Sequence, residues 1–446
     1  SSFDDNPLSD LPEEGLSHAD VIQVMTKLKE KEGTTWKDGY VSGAVYSGAD
    51  DLVQLSAKAY ELFCLANPLH LDLFPAVRKF EAEIVRFTRS MLNGDEGVCG
   101  VVTSGGTESL LMACKAYRDQ ALAKKGIKHP EIVLPVTAHC AFDKAAHYFG
   151  IKLVKIPVKS DFKVDMAALE GAITKNTIAL IGSAPGYPHG TIDDISGLSD
   201  LAIKYSVPLH VDMCLGGFIL PWAKREGWDL PEFDFSLPGV TSISADTHKY
   251  AFAPKGTSAL LFRNKDIRHY MFFVATEWPG GIYPSPTMPG SRPGGAIAAA
   301  WAVMMVNGKK GYLDASNKIM QTAKDIKEGL RAIREIKLMG DSLSPIIAWD
   351  TIDSINIYNL NDYMSEKGWN LSALHKPKGL HLCVTLRQVG KVDKFLADIK
   401  DSIELVKKNP TVKNGSAPVY GMCASLPDRG LIKEITWTYM DALLDA

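Results

Sequence analysis

The sequence predicts an α/β fold with a mostly parallel central sheet and helices on both faces. The first reason is alternation. The β-rich runs EIVLPV, KLVKIPV, TIALIGSA, PLHVDM, TSISAD and SALLFR are separated by helical stretches, the pattern of strand–helix–strand units. The second is size: 446 residues at 46% hydrophobic content allow a large core and two or three domains of roughly 100–200 residues each. Charge bears on partners rather than on fold. With 49 basic and 52 acidic side chains the net charge is -3, which argues against a dominant nucleic-acid-binding face.

Taken in chain order, residues 17–32 read as a capped amphipathic helix with Val21, Val24, Met25 and Leu28 on one stripe. That stripe suits a partner subunit or its own domain. From 51 to 92 the periodicity is helical, broken by the prolines of NPLHLDLFP. A β run then enters residues 104–107, and a helix follows to 125. The alternating region carries helices near 139–149, 167–171 and 193–205. The stretch TEWPGGIYPSPTMPGSRPGG is too rich in turn residues to form a packed element. A helix-rich region follows from 294 to about 334. Beyond it, KVDKFLADIKDSIELVKK reads as a helix and INIYNL and HLCVTL as strands, as in a small α+β domain. The expected division is an N-terminal, dimer-packing segment at 1–60, a large α/β domain at 61–310 and a small C-terminal domain at 311–446.

Seven cysteines, at 64, 99, 114, 140, 214, 383 and 423, are scattered without a repeated CxxC, which favours reduced thiols in a cytosol-like compartment. No apolar run reaches about 18 residues, so no membrane span is expected. The acidic opening SSFDDNPLSDLPEEG does not read as a signal peptide. A trimmed anchor, membrane-surface contact and secretion into a host cell all stay open. No clear metal-ligand set is present.

Several motifs carry chemistry. In VVTSGGTES, Ser104, Gly105, Gly106 and Thr107 lie between a β run and a helix start, where glycines and free amides suit a phosphate. The same residues also fit an ordinary glycine turn, and neither a GxGxxG nor a Walker pattern is present. In PLHVDMCLGG, Asp212 ends an apolar strand and needs a positive or hydrogen-bonded partner. A protonated pyridine nitrogen would supply one; a structural role is the alternative. His139 stands at a strand-to-helix junction, where an imidazole can stack on an aromatic cofactor or donate a proton. His147 fits a packing role. In TSISADTHKYAFAPKG, Lys249 follows a strand and His248 amid apolar residues, an environment expected to lower its pKa for Schiff-base formation. Pyridoxal 5'-phosphate accounts for Lys249, Asp212 and the 104–107 loop together, because these groups fall at strand carboxyl ends. Lys255 is then left for another anion.

SADTHKY, LHVDMCLGG and TSGGTES resemble the group II pyridoxal-phosphate decarboxylase superfamily. SGAVY, NPLH, SAPGYPHGTIDDI, HKYAFAPKG and SPTMPGSRPG resemble the sphingosine-1-phosphate lyase family more closely, over roughly Gly43 to the C-terminus. The resemblance implies a fold type I, aspartate-aminotransferase-like architecture and a homodimer with shared active sites, and the scattered cysteines point to a cytoplasmic location. Lys249 would form the Schiff base, Asp212 would pair with the ring nitrogen and His139 would stack on the ring. Gly105, Gly106 and Thr107 would hold the cofactor phosphate, with Ser104, Thr247 and His248 close by. Tyr46, His70, Lys255 and Ser291 or Arg292 would face the substrate phosphate, some across a dimer interface, and Tyr187 would sit near the cleaved bond. Tyr46 is also a candidate for proton transfer. The implied reaction is retro-aldol cleavage of a phosphorylated long-chain base to a fatty aldehyde and phosphoethanolamine. An amino-acid decarboxylase and a catalytically silent scaffold are the alternatives. Two departures from the family pattern are Ala251, where glycine is expected, and Cys140 beside His139.

Overall fold

Seven strands form the main sheet of the computed structural model, which describes residues 10–33, 35–409, 417 and 429–444. Cys423 and the first nine residues lie outside the described residues. The strands are β1 (Cys99–Thr103), β2 (Glu131–Pro135), β3 (Lys152–Ile156), β4 (Thr177–Ser183), β5 (Leu209–Asp212), β6 (Val240–Ala245) and β7 (Ser258–Phe262), in the order β1-β7-β6-β5-β4-β2-β3. β6, β5, β4, β2 and β3 pair in parallel. β7 runs antiparallel to both β1 and β6. Every residue of β4 and β5 is buried, which explains why these runs read as continuously apolar rather than alternating.

The connecting helices carry local start and stop signals. The Asp165 carboxylate caps the amide of Ala168, and the Asp194 carboxylate caps that of Gly197. Because β1 runs with the parallel strands, the carboxyl ends of β1, β2, β4, β5 and β6 share one edge. Residues 104–107, 139, 184–190, 212 and 246–249 all issue from that edge, as expected for a ligand crevice in an open α/β sheet.

After a short hairpin of β8 (Phe273–Ala275) and β9 (Tyr283–Ser285), helix Gly294–Arg331 crosses residue 310, with non-helical backbone only at Gly308. A second, antiparallel sheet follows, built from β10 (Ile336–Leu338), β11 (Ile346–Thr351), β12 (Ser372–Leu374) and β13 (Gly379–Cys383), in the order β10-β11-β13-β12. Two sequence expectations need correction. INIYNL is not a strand: Asn356 caps helix Ile357–Glu366 by accepting from the Tyr358 and Asn359 amides, and Ile357, Leu360 and Met364 bury its inner face. β9 also shows that the turn-rich 276–295 stretch does contain a paired strand.

Two N-terminal segments behave differently. Helix His18–Lys31 has no buried residue, so its apolar stripe is not covered by its own domain. The stretch from 39 to 47 instead packs along the second sheet. Gln388 Nε2 donates to the Gly39 and Val41 carbonyls, Gly43 N donates to Cys383 O at 2.9 Å, and Ser42 Oγ accepts from Cys383 N at 2.8 Å. This strap delivers Tyr46 to the crevice.

Candidate active site

A cavity of about 380 Å³ at the carboxyl edge is lined by Ser104–Glu108, Leu110, His139, Asp212, Cys214, Asp246, His248 and Lys249. Helix Gly106–Lys125 begins there, so its first amides point at the cavity without intrahelical acceptors. Gly106 is required by close approach. A Cβ on it would lie 2.6 Å from Asp246 Oδ2 and 3.0 Å from Cys214 Sγ. Ser104 is held in place by Glu108, whose Oε2 accepts from the Ser104 amide and hydroxyl at 2.8 and 2.5 Å. The other oxygen of Glu108 accepts from Met288 N, which ties the loop to the segment after β9.

Asp212 ends β5 and is buried; one carboxylate oxygen accepts from Cys214 N at 3.0 Å. His139 Nδ1 accepts from Ala141 N at 3.0 Å, which fixes the tautomer with the proton on Nε2 and leaves the ring at the cavity wall. Lys249 Nζ lies 2.9 Å from Asp246 Oδ2. Burial pulls the Lys249 ammonium down, but the Asp246 carboxylate outweighs it and holds the group above its ordinary range. The expectation of a lowered lysine pKa is therefore corrected: it left out Asp246, three residues upstream at the end of β6, the strand that leads into Lys249.

His248 separates two compartments. Its Nδ1–H donates to Thr257 O at 2.7 Å, and burial lowers its pKa, so it is a neutral ring. Lys249 faces the first cavity. Lys255 faces a second one, of about 530 Å³, whose walls include Tyr46, Val53, Tyr60, Phe252 and His248. The Lys255 ammonium sits 5.3 Å from the Tyr46 ring centroid, and burial followed by repulsion from Lys249 pulls its pKa down. Tyr46 is buried and packs edge-on against Tyr250 at 4.8 Å. Burial, then Cys383, raises its pKa well above the ordinary phenol range, so it serves as a hydrogen-bond donor and is a poor base. Tyr187 is near enough to add to that rise, and its ring stacks on His381 at 4.4 Å.

Other sequence-selected residues fall elsewhere. Thr247 is fully buried with its hydroxyl 2.6 Å from Thr257 Oγ1, turned away from the cavity. The guanidinium of Arg292 is spent on both Glu81 oxygens and on Val102 O, so within its own chain it does not reach Lys255 or Tyr46. Ser291 and Asn67 bond to each other at 3.0 Å, placing the 291–292 turn beside the NPLH loop of exposed His70, apart from the Lys249 cavity. The Ala251 departure is accommodated, because the left-handed conformation falls on Phe252 (φ 66°). Cys140 is exposed beside His139.

Asp246, Cys383 and His381 were missed. Asp246 carried a legible local signal, an acid at the end of the TSISA β run three residues before the lysine. Cys383 and His381 reach the site only through the second sheet, and nothing local marks them.

The pyridoxal-dependent decarboxylase conserved domain matches residues 7–351. The sphingosine-1-phosphate lyase of Dictyostelium discoideum is 49% identical over 437 residues, covering 97% of this chain and 82% of that protein. The chain belongs to the sphingosine-1-phosphate lyase family. Sphingosine-1-phosphate lyase 1 of Rattus norvegicus is likewise 49% identical, covering 99% of this chain and 78% of that protein. The structure of the Burkholderia pseudomallei sphingosine-1-phosphate lyase superposes with a TM-score of 0.88 at 40% identity, over 91% of this chain and 95% of that one. A Lactobacillus brevis glutamate decarboxylase shares the fold, with a TM-score of 0.79 at 20% identity.

The family's cofactor, pyridoxal phosphate, fits the residues present. The first cavity sets two carboxylates, Asp212 and Asp246, against the one ammonium of Lys249, and Asp246 Oδ1 is buried without a hydrogen-bond partner. A cationic ring N–H would balance the excess acid, and the helix start at 106 suits the phosphate. Among the described residues no group of three or more potential metal ligands forms, and no helix is long and apolar enough to cross a membrane.

Proposed function

We propose that this chain cleaves phosphorylated long-chain bases, with sphingosine 1-phosphate as the reference substrate, to a fatty aldehyde and phosphoethanolamine. The observation that carries the reading is the placement of Lys255 and Tyr46 across His248 from Lys249, an anion site one imidazole away from the Schiff-base lysine. An amino-acid decarboxylase needs a site for the substrate carboxylate, whereas Lys255 and Tyr46 on a cavity of about 530 Å³ suit a phosphorylated amino alcohol. The cofactor supplies an electron sink for the pair released when the bond between the amine-bearing and hydroxyl-bearing carbons breaks.

The chain's own groups have distinct tasks in this reading. Lys249 would anchor the cofactor through its amine. Asp212 would pair with the ring nitrogen and favour its protonated form, and His139 would flank the ring. Gly105, Gly106 and Thr107, flanked by Ser104, would hold the cofactor phosphate. Lys255 and the un-ionised Tyr46 bind the substrate phosphate, and Tyr187 sits at the bond to be cleaved. His70 and Ser291 lie apart from Lys255 within one chain, which supports their serving the partner's site in a homodimer. Arg292 we assign to holding β1 through Glu81. Residues 61–310 and 311–446 are read as the large and small domains, with 1–60 contributing to dimer packing.

The test is incubation of the purified protein with sphingosine 1-phosphate and detection of fatty aldehyde with phosphoethanolamine. Release of carbon dioxide from an amino acid, without aldehyde, would overturn the reading. Lys249→Ala should abolish both turnover and the near-visible absorbance of the bound cofactor. Lys255→Ala should raise KM for the phosphorylated base while leaving that absorbance in place.

A further inference from the structure

The second sheet grips the Tyr187 loop at two points. At one end, Gly190 has φ +69° and no room for a Cβ, which would lie 2.6 Å from Ile346. Its carbonyl accepts from Ser342 Oγ at 3.1 Å and Ser344 Oγ at 2.9 Å. The buried Lys327 ammonium holds those two serines by donating to their carbonyls at 2.6 and 2.9 Å. Bonds from Gly186 N to Thr191 O and from Gly190 N to Gly186 O close the loop on itself. Its backbone is therefore fixed without help from Tyr187.

The Tyr187 side chain is another matter. It is 41% exposed, and His381 is its only ring partner among the described residues, with centroids 4.4 Å apart and planes inclined at 29°. His381 is fully buried on β13, paired to Ala348 on one side and to Ser372 on the other, so its own position is rigid. Its Nδ1–H donates to Pro188 O at 3.2 Å, the residue next to Tyr187, while Nε2 is buried without a partner. Burial pushes the His381 pKa down to about 4, so the ring stays neutral under ordinary conditions.

We propose that His381 is a positioning residue for Tyr187, its ring setting the plane of the phenol above a backbone already held at Gly190. The inference rests on the proposed role of Tyr187 at the cleaved bond. Without the stack, an exposed tyrosine on a fixed backbone samples about three χ1 wells, of which one is productive. A loss of about threefold in kcat follows, with KM for the phosphorylated base within about twofold.

The test is a double-mutant cycle in the holoenzyme combined with fluorine NMR of protein carrying 3-fluorotyrosine. His381→Leu should lower kcat as stated and move the Tyr187 resonance, which Tyr187→Phe identifies by its disappearance. In a Tyr187→Ala background the same change should alter kcat by less than about 1.5-fold. His381→Phe keeps the stack and should recover most of the rate; His381→Gln keeps a donor without a ring and should not. These two variants carry the comparison if the leucine variant folds poorly. Equal losses in both backgrounds, or an unmoved Tyr187 resonance, would overturn the proposal. A parent protein that fails to cleave sphingosine 1-phosphate would refute the functional reading instead, and the NMR comparison would still decide the His381 contact.

Discussion

Replacing Gly106 by alanine tests the geometry of the candidate cofactor site directly. The added methyl carbon would stand 2.6 Å from Asp246 Oδ2, 2.9 Å from Oδ1 and 3.0 Å from Cys214 Sγ. To reach ordinary contact near 3.4 Å, the nearest oxygen must retreat by about 0.8 Å from its 2.6 Å position. Asp246 cannot yield cheaply, being 2% exposed and held by Lys249. The helix start must move instead, which shifts the amides that face the cofactor phosphate. Overpacking of this kind costs about 1–3 kcal/mol, which corresponds to a roughly 5- to 150-fold weaker cofactor Kd if it falls on binding. Spectroscopic titration of the cofactor-free protein measures that loss, and urea unfolding of the same protein measures the share that falls on the fold. Gly105→Ala is the control. Its Cβ would have only His248 Cε1 nearby, at 3.9 Å, so fold stability should hold while cofactor binding weakens through occupied space. Cofactor affinity of Gly106→Ala within twofold of the parent would refute the placement of the phosphate at this helix start.

Asp246→Asn removes the attraction that outweighs burial at Lys249, so the lysine pKa should fall. Capture of added cofactor, followed by stopped-flow absorbance across pH, should then proceed at lower pH than in the parent; an unshifted profile would count against the pair. Glu81→Leu strands the buried Arg292 guanidinium and should cost about 3–5 kcal/mol in urea unfolding. If that substitution instead raised KM for the phosphorylated base with stability intact, Arg292 would belong to substrate binding after all. His189, His210 and His381 are each pushed down to about 4 by burial, from an ordinary 6.5. The unfolded chain therefore binds more protons between those values, and stability should drop as pH falls from 6.5 toward 4, by up to about 3 kcal/mol per histidine. A flat denaturation midpoint over that window would contradict their burial as neutral rings.

Much of this was legible in the sequence where a signal was local. The strands of the main sheet announced themselves because burial on both faces demands continuous apolar runs, and helix starts such as those after Asp165 and Asp194 carry their own caps. INIYNL misled for a related reason: Ile355 and Ile357 alternate as in a strand, yet Asn356 is a cap and the apolar spacing 357, 360, 364 is helical. Charge balance was legible only in part. Lys249 and Asp212 could be paired with a cofactor by type and position, but the protonation of Lys249 is decided by Asp246, and only strand order shows that Asp246 and Asp212 end on neighbouring strands. Arg292 shows the converse. The family resemblance offered it as an alternative anion ligand to Ser291, whereas its donors go to Glu81, more than two hundred residues upstream, and to Val102 O.

The two lysines of TSISADTHKYAFAPKG illustrate what the fold adds to a motif. Six residues apart in sequence, both could have entered one cavity and repelled each other there. Instead the chain turns at Phe252, whose left-handed backbone (φ 66°) follows directly on Ala251, and His248 closes the gap between them. Their environments then differ in sign. Lys249 has a carboxylate at 2.9 Å and is held protonated; Lys255 has a phenol ring, apolar walls and Lys249 itself as neighbours, and its pKa is lowered. A doubly charged phosphate entering beside Lys255 would supply the counter-charge that site lacks and raise the lysine's pKa again. It also relieves the repulsion that Lys255 exerts on the first cavity. On the proposed assignment, the substrate and cofactor sites are coupled electrostatically across His248, which lines both cavities, and a phosphate-free analogue should lose more than its share of contact energy for that reason.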